Sequence, residues 1–186
     1  MCIRDRSDKN GNLVQDESKT LINSISSFYT LFKSKYNLSD NNYMIFGYSG
    51  GSQFVHRYMM YGLDKNIDKA VIGGAPYYTF LNDASFPYGV KNMPLSRERY
   101  EWLLSRELLF LQGDKDIKPN YVNNESVQQQ GSNRFSRGNA YFKNLVNFAE
   151  TNNMPFRWRY KVIQGAEHKM ELFVDEAYAF LLSELD

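Results

Sequence analysis

The stretch Tyr43-Met-Ile-Phe-Gly-Tyr-Ser-Gly-Gly51 decides the reading of this chain. Tyr43–Phe46 is a short continuous apolar run, which suits a strand buried on both faces. Gly47–Gly51 is a tight glycine-rich turn, and the residues beyond it read as a helix to about Tyr61, with Gly62 as the stop. Within the turn, Gly47-Tyr48-Ser49-Gly50-Gly51 fits the pattern G-x-S-x-G. A serine on a sharp strand-to-helix turn projects its hydroxyl, and side chains flanking such a turn would collide with it. With glycine and serine each at about 7% of residues, the bare pattern arises by chance in roughly 5% of chains this long. The strand–turn–helix context makes it more specific. The alternative is a glycine-rich turn without chemistry.

A serine hydroxyl is a poor nucleophile without a base, and the chain contains two histidines. His56 follows Ser49 on the same predicted helix, roughly 10 Å along the axis at about 1.5 Å per residue. That is beyond hydrogen-bond reach, so His56 reads as a core or helix-surface residue. His168 follows the last predicted strand in Gln164-Gly-Ala-Glu-His168, at the end of the sheet where Ser49 should emerge. A third member must orient the imidazole and stabilise its charged form. Gly113-Asp-Lys-Asp116 follows a strand and offers Asp114 and Asp116, of which Asp116 is preferred. Either carboxylate taken alone is an ordinary solvated turn residue.

Helical and strand patterns alternate along the rest of the chain. Residues 17–36 carry Leu21, Ile25, Phe28, Phe32 and Tyr36 at helical spacing. Strands are expected at Lys69–Gly73, Glu107–Gln112 and Phe156–Ile163, the last alternating like a half-exposed edge strand. Helices are expected from Ser96 to Leu104, from Asn139 to Asn152 and from Met170 to about Leu185. The segment through Phe80, Phe86, Pro87 and Tyr88 reads as an aromatic loop, and residues 113–138 as a long loop of the kind that is usually functional or mobile. Strands separated by helices imply an α/β fold, a mostly parallel sheet with helices on both faces. Sites in such sheets form at the carboxyl ends of strands.

Composition excludes several function classes. Over 186 residues, 42% are hydrophobic and 23% charged, ordinary for a globular domain. The formal net charge of +1 gives no field that points to nucleic acid. No apolar run approaches the length of a transmembrane segment. No metal-ligand constellation or phosphate-cradling loop is evident, and no cofactor is implied. Tyr77, Tyr78, Phe80, Phe86 and Tyr88 either pack a core or line an acyl pocket, the core being favoured. Arg134 and Arg137 either bind an anionic substrate or belong to a solvated loop, the loop being favoured.

Residues 1–6, Met-Cys-Ile-Arg-Asp-Arg, reverse-translate to a sequence that resembles a transposon end used to prepare sequencing libraries. They are read as a scar and excluded from fold reasoning. Cys2, the single cysteine, therefore says nothing of redox compartment, and the localisation stays unknown.

The order Ser49, Asp116, His168, each after a predicted strand, resembles the α/β-hydrolase superfamily from Tyr43 to the C-terminus. Ser49-Gly-Gly-Ser-Gln-Phe-Val-His-Arg-Tyr58 and Phe86-Pro-Tyr-Gly89 are similar to esterases of the polyhydroxybutyrate-depolymerase-like and feruloyl-esterase-like groups. The resemblance implies a serine hydrolase in which Ser49 attacks an ester carbonyl, His168 moves the proton and Asp116 holds the His168 tautomer. It implies a small-molecule or polymeric ester as substrate, and the Gly50 N–H as one oxyanion donor. A peptidase or thioesterase, or a non-catalytic binding protein on the same fold, are the alternatives. The family's sheet begins with several strands before the Ser49 strand, so residues 7–186 are expected to be the C-terminal part of a single hydrolase domain. Its Tyr43–Phe46 edge would then lack a partner strand. Residues 7–186 alone are expected to be poorly soluble and nearly inactive; a soluble monomer with robust esterase turnover would contradict this.

Overall fold

The computed structural model describes residues 14, 16, 20–62, 64–91, 93–119 and 122–183. The presumed scar, Cys2, residues 17–19 of the first predicted helix and Leu185 of the last lie outside the described residues.

The alternation read from the sequence is realised as a four-stranded parallel sheet in the order β1-β2-β5-β6, where β1 is Tyr43–Tyr48, β2 Ile67–Gly73, β5 Glu107–Gly113 and β6 Trp158–Ile163. β2 and β5 are central, and their apolar residues are almost wholly buried, as both-face coverage requires. The connecting helices are α2 (Gly50–Tyr61), α3 (Arg97–Ser105), α4 (Glu125–Gln130) and α5 (Arg134–Thr151), with α1 (Ser24–Tyr36) before β1 and α6 (Val174–Leu182) after β6. Ser96 caps α3, its side chain accepting the Arg99 N–H at 3.2 Å.

Two apolar clusters fill the two faces of the sheet. The larger joins Val55, Met59, Ile72, Phe110, Leu145 and Trp158. At its centre the Tyr78 and Tyr141 rings stack at 4.6 Å, 10° from parallel, with the Phe110 ring against the edge of each. The smaller joins Val71, Leu109 and Leu111 to Phe173, Ala177 and Phe180. A fully buried side chain of this size contributes about 1.5–3 kcal/mol, so the larger cluster carries most of the stability.

Four expectations need correction. The aromatic segment after β2 is not a plain loop, because Phe80–Ser85 (β3) and Gly89–Lys91 (β4) pair as a separate two-stranded sheet. Residues 113–138 are not one long loop, because they contain α4 and the first turn of α5. α5 starts at Arg134 rather than Asn139: Asn133 accepts the Ser136 N–H at 2.8 Å while Ser136 Oγ accepts the Asn133 N–H at 3.1 Å, a reciprocal cap that starts the helix before its apolar face begins. The last predicted helix is broken into a 3₁₀ turn, Met170–Leu172, and α6.

β1 also differs from a strand covered on both faces. Among the described residues it is an edge, and Met44 is 45% exposed. The apolar stripe of α1 meets the core at Ile25 alone: no α1 residue is fully buried, and Phe28, Phe32 and Tyr36 are exposed. With Ile25, Tyr29, Tyr43 and Ile45, Phe28, Phe32 and Met44 line a shallow apolar groove of about 320 Å³ beside the β1 edge. An unpaired apolar edge favours intermolecular strand pairing. Met44→Lys should therefore reduce light-scattering growth in concentrated solution and change unfolding free energy by no more than about 0.5 kcal/mol; undiminished scattering would mean that association uses another surface.

Candidate active site

The backbone dictates the position of Ser49. It follows β1 at φ 54° and ψ −116°, a conformation costly for a residue with a Cβ, and Gly50 starts α2 immediately afterwards. The Ser49 N–H donates to Gly73 O of the neighbouring strand at 2.9 Å and the Ser49 carbonyl accepts from the Gln53 N–H at 3.2 Å, so strand and helix grip the turn from both sides. A Cβ on Gly47 would sit 2.5 Å from Gly51 O and 2.7 Å from Val55 Cγ2, so glycine is required there. A Cβ on Gly51 meets nothing within 4 Å, so the expected crowding applies to only one of the two flanking glycines.

Three segments from the carboxyl ends of β1, β5 and β6 meet. His168 Nε2 lies 2.9 Å from Ser49 Oγ, and His168 Nδ1 lies 2.7 Å from Asp116 Oδ2. A carboxylate only accepts, so Nδ1 carries the proton and donates to Asp116, leaving the Nε2 lone pair to accept from the Ser49 hydroxyl. Asp116 is 1% exposed, whereas the His168 side chain is 27% exposed.

The β5 and β6 loops are tied together. Asp114 Oδ1 accepts the Gly165 N–H at 2.6 Å, and the Lys115 N–H donates to Ala166 O at 3.0 Å. Gly113 packs so tightly on Ala166 that a Cβ would overlap its carbonyl. Asp114, the less favoured acid, therefore holds the loop that carries His168 and does not touch the imidazole ring. Gly74, at φ 61°, passes close to His168 Cε1 and Tyr48. The Tyr48 ring packs 5.1 Å from the imidazole, and its hydroxyl lies 3.3 Å from Nδ1. Burial, reinforced by the Asp116 charge, pushes the Tyr48 hydroxyl pKa up, so it remains protonated.

The Gly50 N–H, first of α2, is at the positive end of the helix beside Ser49, where it can meet developing negative charge. His56 is fully buried away from Ser49: its Nδ1 lies 2.9 Å from Ser52 O and its Nε2 accepts the Thr79 N–H at 3.2 Å. Among the described residues no group of three or more His, Cys, Asp or Glu side chains is placed to hold a metal ion, and no helix is long and apolar enough to cross a membrane.

The aromatic candidates divide. Tyr77 and Tyr78 are buried, and Phe86 packs edge-on to Tyr61. Phe80 and Tyr88 line a cavity of about 250 Å³ with Asn82, Ser126 and Gln129. The two arginines are not in a solvated loop. Arg137 is buried and donates to Gly131 O and Pro76 O, each at 2.8 Å. Arg134 pairs with Asp116 Oδ1 at 3.2 Å, behind the carboxylate. Sequence reasoning missed Arg134 as a partner of the site; the Asn133–Ser136 cap, which starts α5 early, was the signal that could have placed it.

No protein-family model matches the chain, and no curated protein matches it in sequence. Solved structures do match. The chain superposes on poly(aspartic acid) hydrolase-1 from Sphingomonas sp. KT-1 with a TM-score of 0.87 at 24% identity, over 96% of this chain and 69% of that one. It superposes on LpqC, a poly(3-hydroxybutyrate) depolymerase from Bordetella parapertussis, with a TM-score of 0.84 at 21% identity, over 97% and 62%. A ferulic acid esterase matches at a TM-score of 0.52 and 15% identity, over 86% and 58%. The chain thus spans less than two thirds of the length of the last two. The likeness shows the fold, an α/β arrangement around a parallel sheet that this chain shares with those structures.

The environment of His56 predicts an acid-sensitive core. Burial, aided by the Arg57 charge, lowers its pKa from 6.5 to about 3. The unfolded chain then binds a proton between these values that the folded chain refuses, so this contribution is complete above pH 6.5 and is lost as pH falls toward 3. The slope should be about 1.4 kcal/mol per pH unit. Denaturant titrations of the parent and of His56→Gln at pH 7, 5.5 and 4.5 should show a shallower acid loss in the variant; equal slopes would assign the loss to other groups.

Proposed function

We propose that this protein is a serine hydrolase that cleaves carboxylic esters through an acyl-enzyme. The observation that carries the reading is the unbroken hydrogen-bonded chain Ser49 Oγ–His168–Asp116, at 2.9 and 2.7 Å, on a strained strand-to-helix turn. In this reading His168 Nε2 accepts the Ser49 proton as Oγ attacks the ester carbonyl. Asp116 keeps the imidazole in the tautomer that can accept and stabilises the imidazolium that forms. The oxyanion takes a hydrogen bond from the Gly50 N–H. His168 then delivers the proton to the leaving alcohol. In the second half it deprotonates a water, which attacks the acyl-enzyme and releases the acid, regenerating Ser49.

The matched structures support this reading by their names: a poly(3-hydroxybutyrate) depolymerase and a ferulic acid esterase, which act on esters. The poly(aspartic acid) hydrolase favours one second reading, cleavage of amide-linked polymers, since the same three groups act on amides. The substrate is therefore a polymeric or small-molecule ester, with amide cleavage as the alternative.

A fluorophosphonate reports the nucleophile directly, applied to a form of the protein that carries the expected upstream strands, since residues 7–186 alone are expected to be nearly inactive. A single adduct should map to Ser49, disappear in Ser49→Ala, and form slowly in Asp116→Asn. Ser49→Ala should lower kcat on a chromogenic acyl ester by about 10⁴-fold or more, and Asp116→Asn by about 10⁴-fold. Absence of an adduct on folded protein would remove the hydrolase reading in favour of a non-catalytic binding protein.

A further inference from the structure

We propose that Arg134 is a positioning residue for the hydrolytic site, holding the Asp116 carboxylate turned so that Oδ2 faces His168. This rests on the proposed hydrolase reading and extends it to a fourth residue in line. Asp116 is 1% exposed, and its two oxygens are divided: Oδ2 meets His168 Nδ1 at 2.7 Å and Oδ1 meets Arg134 Nη1 at 3.2 Å. His168 Nδ1 occupies one carboxylate oxygen, Oδ2, and leaves Oδ1 in need of its own partner. A buried carboxylate with an unsatisfied oxygen turns toward water or another donor. A turned Asp116 could not hold the Nδ1 tautomer, and Ser49 would lose its base.

Arg134 removes that difficulty. Its side chain is 11% exposed, and its Nη1 meets Asp116 Oδ1 at 3.2 Å, so the carboxylate oxygen that His168 leaves free has a donor. The backbone fixes the approach as well: the Phe135 N–H donates to Asp116 O at 3.3 Å, and the Asn133–Ser136 cap sets where the helix bearing Arg134 begins. The other groups around the imidazole cannot substitute for it. The Tyr48 hydroxyl, 3.3 Å from Nδ1, is neutral; Glu167 is half-buried and pairs with Lys118 at 3.1 Å.

A cation beside Asp116 also weakens its pull on the imidazolium. The two effects oppose each other, and the sign of the mutational result separates them. If orientation dominates, loss of Arg134 slows the reaction; if the weakened pull dominates, it speeds it. Full burial of Asp116 decides for the first, because an uncompensated carboxylate is unstable there.

The test is a double-mutant cycle read by phosphonylation rate and by steady-state hydrolysis of a chromogenic acyl ester. Arg134→Gln should lower kcat and the phosphonylation rate by about 10- to 100-fold, by analogy with the loss seen when the partner that orients a metal-bound histidine is removed, and change KM by less than about twofold. On an Asp116→Asn background, where no carboxylate remains to be held, Arg134→Gln should cost nothing further. Arg134→Lys, which keeps the charge, should recover most of the rate. A similar loss on both backgrounds, or a change confined to KM, would reduce Arg134 to a packing residue and overturn the proposal. Should Arg134→Gln fail to fold by circular dichroism, Arg134→Lys decides: near-parent rates uphold the proposal, and a folded but slow Lys variant, or one that also fails to fold, overturns it. If the parent itself takes no adduct on Ser49, the hydrolase reading fails first, and that outcome is distinct from both.

Discussion

The geometry at Ser49 depends on the lock between two loops that leave adjacent parallel strands. β5 and β6 run side by side in register from Leu108 opposite Trp158 to Gly113 opposite Ile163, so their exit loops leave the sheet at the same height. The contact of Gly113 with Ala166 and the Asp114 and Lys115 hydrogen bonds then fuse the loops into one unit. Asp116 and His168 are separated by much of the C-terminal half of the chain, yet their hydrogen bond depends on short backbone contacts more than on side-chain reach. The proposed hydrolysis would need that rigidity, since a displacement of about 1 Å in a catalytic constellation can cost about 100-fold in rate.

The other half of the constellation is held by strain. Ser49 occupies a backbone conformation that costs about 1–3 kcal/mol, and it persists because strand β1, Gly73 of β2 and the first turn of α2 all fix the residues around it. Gly47 permits the close approach of α2, whereas Gly51 has open space. Part of the glycine pattern is thus demanded by packing and part is not, a distinction that a motif alone does not make.

Much of this was legible in the sequence. The strands and helices followed from hydrophobic period, and the chain order of Ser49, Asp116 and His168 singled out the three residues that the fold brings within hydrogen-bond distance. What stayed hidden has a physical pattern. β3 and β4 lack a long apolar alternation, because only one small face of that two-stranded sheet is covered. α4 is short and polar, its existence resting on the Asn124 cap and on the Val127 and Gln130 side chains that reach inward. Arg134 and Arg137 looked like solvated loop residues because burial of a guanidinium depends on partners far away in the chain: Asp116 for one, the Pro76 and Gly131 carbonyls for the other.

The buried polar groups beneath the site form an extended layer rather than isolated pairs. His56 bridges Ser52 O and the Thr79 N–H; Gln130 clamps both backbone groups of Tyr78, whose hydroxyl accepts from Gln112 and from Ala75. Arg57 reaches Thr79 and Pro87 O. Each partner comes from a different connection: α2, the segment after β2, the end of β5 and α4. An apolar layer of the same volume would be as stable or more so, but it would not fix the direction of those connections, because apolar contacts tolerate sliding and hydrogen bonds do not. The layer lies where direction matters most, under the turn bearing Ser49 and the loop ending in Asp116, and it gives the sheet's carboxyl end a single arrangement on which a reaction geometry can be built.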